Sequence, residues 1–269
     1  MATTLNDILK AAERIRPHAH RTPVITNSSL NQQVDAQVFL KCENLQKVGA
    51  FKFRGACNAV YSLSDEEAAH GVCTHSSGNH AAALALAARM RGIPAYIVMP
   101  NNAPSVKKNA VAGYGGLITF CEPTLQARES TLEQIRHDTG ATVVHPYNDE
   151  RVIAGQGTAA LELLQDVPDL DVIIAPVGGG GLLSGTSIAA TGSLTFPIIP
   201  QRVEQIVTVS EAGIIDSMKY VWERAKIIIE PSSAVAVGVL WEQKIDLSGL
   251  KIGVIISGGN VDLQKLPWQ

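Results

Sequence analysis

Lys52 is the residue whose surroundings point most directly to chemistry. It stands between Phe51 and Phe53, with Gly49-Ala50 before them and Gly55-Ala56 after them. Apolar neighbours exclude water from a lysine amine and lower its pKa toward the neutral form. A neutral amine attacks carbonyl groups and forms a Schiff base. The stretch therefore predicts a reactive lysine, although most lysines in amphipathic turns are simply exposed.

Four glycines, Gly178 to Gly181, lie between the apolar run Val172 to Val177 and a helical pattern that starts at Leu182. Bare backbone N–H groups at the start of a helix can surround a phosphate. A dinucleotide fingerprint would need glycine where Leu183 and Ser184 stand, and no lysine follows to complete a G-K-[ST] loop. A single phosphate monoester fits this spacing best, and a merely flexible turn is the alternative.

Two further stretches follow strand-like segments. Ser76-Ser77-Gly78-Asn79-His80 lies between the segment Val72 to Thr74 and the helical pattern Ala81 to Arg91. Its N–H groups at a helix start suit the carboxylate of an amino acid, although a plain capping turn has the same sequence. Ser257 follows the apolar segment Lys251 to Ile256, where a side chain can reach a ligand at the edge of a sheet.

Together these motifs resemble the serine/threonine dehydratase and serine racemase family. Ala50-Phe51-Lys52-Phe53-Arg54-Gly55-Ala56 is similar to the pyridoxal-phosphate lysine motif of that family. The serine stretch, the glycine run and Ser257-Gly258-Gly259-Asn260 follow it in the family's order. The resemblance implies pyridoxal 5′-phosphate as cofactor and a two-lobed α/β fold of the tryptophan-synthase-β type, with parallel twisted sheets flanked by helices.

Strands and helices alternate from Val72 to Val144, which predicts a parallel sheet with helices on its faces. We therefore expect a small domain of residues 71–148 that closes over the substrate. It is inserted into a large cofactor-binding domain of residues 1–70 and 149–269.

The resemblance also implies roles for individual residues. Lys52 holds the cofactor, Phe51 packs beside its ring, Asn79 binds its ring oxygen and Ser257 contacts its pyridine nitrogen. The phosphate is expected at Gly178, Gly179, Gly180, Gly181 and Leu182. The expected substrate-binding residues are Ser76, Ser77, Gly78, Asn79, His80 and Arg128. Glu230 either supports the wall of the site or has a structural role.

Ser77 bears on the type of reaction. Racemisation requires one acid/base group on each face of the substrate's α-carbon, and Lys52 and Ser77 are the expected pair. The leading hypothesis is a serine racemase that also has L-/D-serine ammonia-lyase activity. A dehydratase acting on serine, threonine or 3-hydroxyaspartate is the close alternative. A non-catalytic sensor of amino acids or nucleotides is a more distant one.

Composition limits the classes of partner. The 269 residues carry a net charge of −3, which argues against a nucleic-acid-binding surface, and 46% of them are hydrophobic. No window has about 18 consecutive apolar residues, and the start resembles neither a signal nor a transit peptide. The scattered Cys42, Cys57, Cys73 and Cys121 are typical of reduced thiols in a cytoplasmic protein. The resemblance also implies a homodimer and binding of a divalent cation (Mg²⁺ or Ca²⁺) and ATP. The residues that would bind the cation or the ATP are not identifiable in this sequence.

The resemblance breaks after Ala190. A further βα unit of the family is expected before a segment like Gly192 to Ile198, but this chain passes to that segment almost directly. Other local expectations are a turn at Asn27-Ser28-Ser29, a helix beginning at Gly55 and a central strand at Val172 to Val177. A strong helix is expected at Ala159 to Leu164, after Gly155-Gln156-Gly157.

Overall fold

The computed structural model describes residues 3–191 and 203–269, which form two β-sheets with helices packed around them. The strands of the first sheet occur in the order β1-β2-β8-β7. Their bounds are β1 Val24–Thr26, β2 Gln37–Cys42, β7 Val172–Ile174 and β8 Lys251–Ile256. Only the short β1 pairs in the antiparallel direction. The residues after β2, β7 and β8 therefore emerge at the same edge of the sheet.

The second sheet is entirely parallel and has the order β5-β4-β3-β6. Its strands are β3 Val72–His75, β4 Ala95–Pro100, β5 Leu117–Cys121 and β6 Thr142–Val143. Because β3 and β6 are neighbours, the segments that follow them lie side by side. The α/β prediction, with parallel sheets flanked by helices, is confirmed.

The helices connect the strands, and several of them begin at a residue whose side chain caps the helix. They are α1 Leu5–Ile15, α2 Ser28–Val34, α3 Lys52–Tyr61, α4 Asp65–Ala69, α5 Asn79–Arg91, α6 Ser105–Gly113, α7 Leu125–Thr139, α8 Glu150–Asp166, α9 Gly181–Thr191, α10 Glu211–Tyr220 and α11 Pro231–Trp241. Thr4 caps α1 and forms a capping box with Asp7. In the described part of the chain, none of the helices has the length and hydropathy needed to span a membrane.

Two local predictions were wrong, because in each case one hydrogen bond determines where the helix begins. Asn27 is not in a turn: its side-chain oxygen accepts a hydrogen bond from Leu30 N (2.8 Å) and caps α2. The helix expected from Gly55 begins three residues earlier, because Arg54 N already bonds to Phe51 O (3.0 Å). Lys52 is therefore the first residue of α3.

Helix α8 contains Gly155 and Gly157, which were expected to precede the helix. Both glycines are sites of close helix packing. A Cβ at Gly155 would lie 2.6 Å from the backbone oxygen of Arg54, and one at Gly157 would lie 2.8 Å from the backbone oxygen of Gly185. These glycines allow α8 to contact α3 and α9 at backbone distance, so they belong to the helix.

The run Val172 to Val177 was expected to be a central strand. In the described residues only Val172–Ile174 is a strand, and it stands at one end of the sheet order. The segment Gly192 to Ile198 lies outside the described residues.

All strands of the second sheet fall within residues 71–148, the predicted small domain. The hydrophobic core extends across the predicted boundary. One cluster contains Ile15 and Phe53 of the predicted large domain together with Leu84 and Ile97 of the small one. The division into a large and a small domain stays a prediction.

Candidate active site

The lysine loop (Lys47–Lys52) is bound to the turn that follows β8. Phe51 N donates to Ser257 O (2.9 Å), and Gly259 N donates to Gly49 O (2.9 Å). Ala50 and Gly258 form an isolated antiparallel bridge. These bonds place Lys52 beside Ser257, so the structure brings together two residues that are 205 positions apart in the chain.

The Lys52 side chain is half-buried. Burial lowers its pKa to about 8. Its Nζ donates to Pro146 O (2.8 Å) and lies 5.0 Å from the centre of the Phe51 ring. An amine with this pKa is about one-tenth neutral at pH 7, far more than an ordinary lysine. The neutral form is the one that attacks an aldehyde.

A network of buried charged side chains holds the start of α3 in place. Arg54, two residues after Lys52, is fully buried and binds Glu43 through Nε (2.7 Å) and Nη2 (2.8 Å). Its Nη1 binds Glu162 (2.8 Å), which also accepts from Lys41 (2.7 Å). Burial alone would lower the pKa of Arg54, but the two glutamates raise it. Two cations and two anions compensate one another, so this network holds the lysine helix in place.

The glycine loop (Gly178–Gly181) connects β7 to α9. Among the described residues no acceptor takes a hydrogen bond from the four N–H groups of this loop. Gly180 has a left-handed backbone (φ 87°), which a side chain would strain. Exposed, unpaired N–H groups before a helix form a site that can accept an anion.

The segment from His145 to Asn148 lies between the lysine and the glycine loop. Pro146 O accepts the Lys52 bond, while the ring of the adjacent Tyr147 packs on Gly179 so closely that a Cβ there would overlap it. Two adjacent residues, Pro146 and Tyr147, thus contact the two predicted halves of the cofactor site. Sequence reasoning missed Tyr147 and His145, although their place just after β6 marks the same sheet edge as Ser76.

His145 has a defined tautomer. Its Nδ1 accepts hydrogen bonds from Asn148 N (2.8 Å) and Tyr147 N (3.3 Å), so the ring proton lies on Nε2. Its ring stands edge-on to His75, with centroids 6.1 Å apart. Burial lowers the pKa of both rings, and the positive charge of the nearby Arg128 lowers the pKa of His75 further. The two imidazoles are neutral hydrogen-bonding groups at the rim of the site.

The serine loop (Ser76–Gly78) joins β3 to α5. Ser76 N donates to Val98 O (3.1 Å), while Ser77 and Gly78 are half-buried. No side chain caps α5 at Gly78, so the first N–H groups of this helix are available to an anion. The use of this helix start as a second anion site stays a prediction.

His80 differs from the other members of this stretch. Its ring is buried, and Nε2 bonds to Val144 O (3.0 Å). Burial and then the charge of Lys52 lower its pKa to about 3, against the effect of that bond. The neutral ring packs in the core, and its buried Nδ1 has no hydrogen-bond partner among the described residues.

The remaining predicted residues lie in three environments. Ser257 is nearly buried, and its hydroxyl makes no hydrogen bond with a described residue. The Leu182 side chain packs in a hydrophobic cluster with Ile8 and Leu163. Arg128 is half-buried on α7, where Nε donates to Thr124 O (3.3 Å).

This arrangement fits pyridoxal phosphate. It offers a neutral amine for an aldehyde, unpaired N–H groups for a phosphate and a free hydroxyl for a ring nitrogen, all at one edge. Within residues 3–191 and 203–269, no group of three or more His, Cys, Asp or Glu side chains could hold a metal ion. All four cysteines are free thiols, three of them buried.

The fold and the candidate site together indicate a pyridoxal-phosphate enzyme, and comparison with known proteins identifies the family. The family model "Pyridoxal-phosphate dependent enzyme" matches residues 15–191. The chain belongs to this family.

Individual relatives show which members of this family the chain is similar to. The chain is 45% identical over 310 residues to a beta-hydroxyaspartate dehydratase of Paracoccus denitrificans, covering 98% of both chains. It is 45% identical over 316 residues to a serine racemase of Dictyostelium discoideum, covering 99% and 98%. The crystal structure of the Dictyostelium serine racemase superposes with a TM-score of 0.93 and 46% identity, covering 97% of this chain and 99% of that one.

Both alignments run over more than 300 residues although the chain has 269, so they contain positions with no counterpart here. The family match ends at residue 191, next to the break that the sequence analysis placed after Ala190.

Proposed function

We propose that this protein is a pyridoxal-phosphate-dependent serine racemase that also has L-/D-serine ammonia-lyase activity. The observation that carries the proposal is Lys52, a half-buried amine with a lowered pKa. Its loop is bonded to the turn that contains Ser257, and Pro146 and Tyr147 lie between it and the glycine loop. The identity to the Dictyostelium serine racemase supports the same reaction.

The proposed cofactor-binding roles are those that the resemblance implies, and the contacts of each residue support them. Lys52 takes up the aldehyde, with Phe51 beside it. The unpaired N–H groups of Gly178 to Gly181, extended by that of Leu182, bind the phosphate. The Ser257 hydroxyl faces the ring nitrogen, and Asn79 donates to the ring oxygen. When bound, pyridoxal phosphate withdraws electrons from the substrate's α-carbon and so acidifies its proton.

The substrate carboxylate binds at the start of α5. Ser76, Ser77 and Gly78 line this position, and the backbone N–H groups of Asn79 and His80 complete it. Arg128 supplies positive potential from α7 toward the substrate's side chain. Racemisation then uses two groups on opposite faces of the α-carbon: Lys52 holds the proton on one face and Ser77 returns one on the other. Because a serine hydroxyl does not force the ring nitrogen to be protonated, loss of the β-hydroxyl remains a competing outcome.

A pair of serine variants tests this assignment. Ser77→Ala is expected to reduce D-serine formation from L-serine by about 10²-fold or more, the usual range for a lost acid/base group. Pyruvate formation should fall much less. Ser76→Ala is the matched control, because loss of a carboxylate contact should lower both products together. Full D-serine formation by Ser77→Ala would remove Ser77 as the second acid/base group.

A second candidate function is a dehydratase for 3-hydroxyaspartate, favoured by the Paracoccus relative and by the positive potential of Arg128 near His75. Measuring kcat/KM for L-serine and L-threo-3-hydroxyaspartate separates the two. A preference of more than tenfold for the dicarboxylate, without D-serine formation, would favour the dehydratase.

We also propose that the protein acts as a cytoplasmic homodimer. The free cysteines support a reducing compartment. Light scattering coupled to size exclusion tests the dimer directly. Adding Mg²⁺ and ATP to the serine assay tests the regulation that the resemblance implies.

A further inference from the structure

The His80 ring joins the start of α5 to the segment that follows β6. His80 is 2% exposed, and its Nε2 lies 3.0 Å from Val144 O. A backbone carbonyl can only accept, so Nε2 carries the ring proton and donates to Val144 O. The Nδ1 atom then has no proton, and it has no hydrogen-bond partner among the described residues. The bond from Nε2 is therefore the one that holds this ring in place.

The Val144 carbonyl has a fixed position at the end of the second sheet. Val144 is fully buried, and its N donates to Cys73 O (2.9 Å), which extends the parallel pairing of β6 with β3 by one residue. No backbone N–H of a described residue donates to Val144 O, so the histidine ring supplies the donor that the sheet does not. The start of α5 is thus bonded to the end of the sheet.

The same short segment contacts the reactive lysine. Pro146 O, two residues after Val144, accepts the hydrogen bond from Lys52 Nζ (2.8 Å). The proline ring restricts the backbone between the two carbonyls, because it locks φ near about −65°. After burial, the charge of Lys52 is the next cause that lowers the pKa of His80, so the two side chains lie near each other. One rigid segment therefore holds both the His80 ring and the Lys52 amine.

Ser77 lies between two anchored residues of the serine loop and α5. Ser76 N donates to a carbonyl of β4 (3.1 Å), and the Asn79 side chain donates to Glu230 (2.9 Å). The Ser77 side chain makes no hydrogen bond with a described residue. Its position is therefore set by its neighbours, and His80 is the neighbour that is bonded to the lysine's own segment.

Stability alone does not account for a histidine at this position. Its Nδ1 is buried without a partner, and an unpaired buried acceptor costs free energy. A leucine would fill the core without that cost. The histidine adds a rigid donor that reaches Val144 O, and because its pKa is about 3 the ring stays neutral at any assay pH.

We propose that His80 is a positioning residue for racemisation, because its bond to Val144 O sets the place of Ser77 relative to the Lys52 amine. This inference rests on the proposed function, in which these two groups act on opposite faces of the substrate's α-carbon. Proton transfer needs heavy atoms about 2.6–3.2 Å apart, so a small shift of Ser77 interrupts it. Loss of the β-hydroxyl requires a proton transfer on one face only, and it should be affected less.

Four variants separate positioning from simple support. His80→Leu removes the donor, whereas His80→Gln can place an amide N–H where Nε2 lies. His80→Asn is too short to reach Val144 O and replaces the leucine variant if that protein does not fold. Asn58→Leu is the matched control, because the buried Asn58 also donates to a backbone carbonyl, Arg151 O (2.7 Å), but lies in the interior of α3.

The readouts are D-serine and pyruvate formed from L-serine, kcat and KM for each product, and the dissociation constant for pyridoxal phosphate. Thermal unfolding of each apoprotein checks that the variants fold. His80→Leu is expected to lower the ratio of D-serine to pyruvate by about tenfold or more through kcat, with KM and cofactor affinity within about threefold of the wild type. His80→Gln should restore the ratio to within about threefold. Asn58→Leu should lower the unfolding temperature and leave the ratio unchanged.

An unchanged ratio in a folded, cofactor-loaded His80→Leu protein would overturn the inference. An equal fall of both products would overturn it as well, because that is the result of a merely structural role. A wild-type protein that binds pyridoxal phosphate but forms neither product would instead overturn the proposed function, and the inference with it.

Discussion

The lysine loop and the glycine loop face each other across the same site, yet the fold holds them in different ways. The lysine loop is bonded to the turn after β8, and the helix that follows it rests on the buried Arg54 network. Gly178 and Gly179 of the glycine loop are exposed, and no described residue accepts a hydrogen bond from the N–H groups of the loop. The reactive amine is therefore positioned before any ligand arrives, whereas the phosphate side is completed by the ligand.

The largest expected effect concerns the buried support of the lysine loop. Glu43→Gln keeps the shape of the side chain but removes the charge that compensates Arg54. Breaking a buried ion pair costs about 3–5 kcal/mol, so the free energy of unfolding of the apoprotein should fall by that amount in urea. Glu133→Gln is the control, because Glu133 pairs with Arg136 on the surface and its loss should cost less than about 1 kcal/mol. Equal stability of the two variants would show that the lysine side is not held by this network.

A smaller effect is expected on the opposite side of the site. Gly179→Ala places a Cβ in the Tyr147 ring, whereas a Cβ at Gly178 would have nothing within 4 Å. Gly179→Ala should weaken binding of pyridoxal phosphate about tenfold, or about 1.4 kcal/mol, with little change in apoprotein stability. Gly178→Ala should weaken it less, as fluorescence titration of both apoproteins can measure. The comparison fails if Gly179→Ala destabilises the apoprotein as strongly as Glu43→Gln does.

The smallest effect follows from the pKa of Lys52. The ordinary lysine value of 10.5 is lowered to about 8 in the folded protein. Between pH 8 and pH 10.5 the Lys52 amine is protonated in the unfolded chain but neutral in the folded protein, so the free energy of unfolding rises with pH across this window. Below pH 8 the amine is charged in both states, and its burial lowers the free energy of unfolding by a constant amount. This shift corresponds to about 3.4 kcal/mol for a fully desolvated amine, and solvent screening of the half-buried Lys52 reduces it. Lys52→Met should therefore stabilise the apoprotein at pH 7 by about 1 kcal/mol, and the gain should vanish near pH 10.5. Thermal unfolding at both pH values measures it; a gain that persists at pH 10.5 would contradict the lowered pKa.

Much of the site could be predicted because its members follow strands with a recognisable local pattern. Lys52 between aromatic residues, the glycine run and the serines after β3 and β8 are all visible within a few residues of sequence. The parallel arrangement of the strands then places them at shared edges, as the structure confirms for the strand pairing.

What could not be predicted depends on partners far away in the chain. The position of Gly155 inside α8 is decided by the backbone of Arg54, and the start of α2 by one side-chain bond of Asn27. The contact of Tyr147 with Gly179 and the bond of Glu230 to Asn79 join segments that no local pattern relates. Local sequence patterns therefore point to candidate reactive groups but not to the residues that contact and orient them.

The most direct test of the proposed function is incubation of the protein, reconstituted with pyridoxal phosphate, with L-serine while D-serine and pyruvate are measured together. The account predicts both products from the wild type and neither from Lys52→Ala. Pyruvate without D-serine would contradict the racemase and leave a dehydratase. Neither product from a protein that has bound the cofactor would contradict the proposed function as a whole.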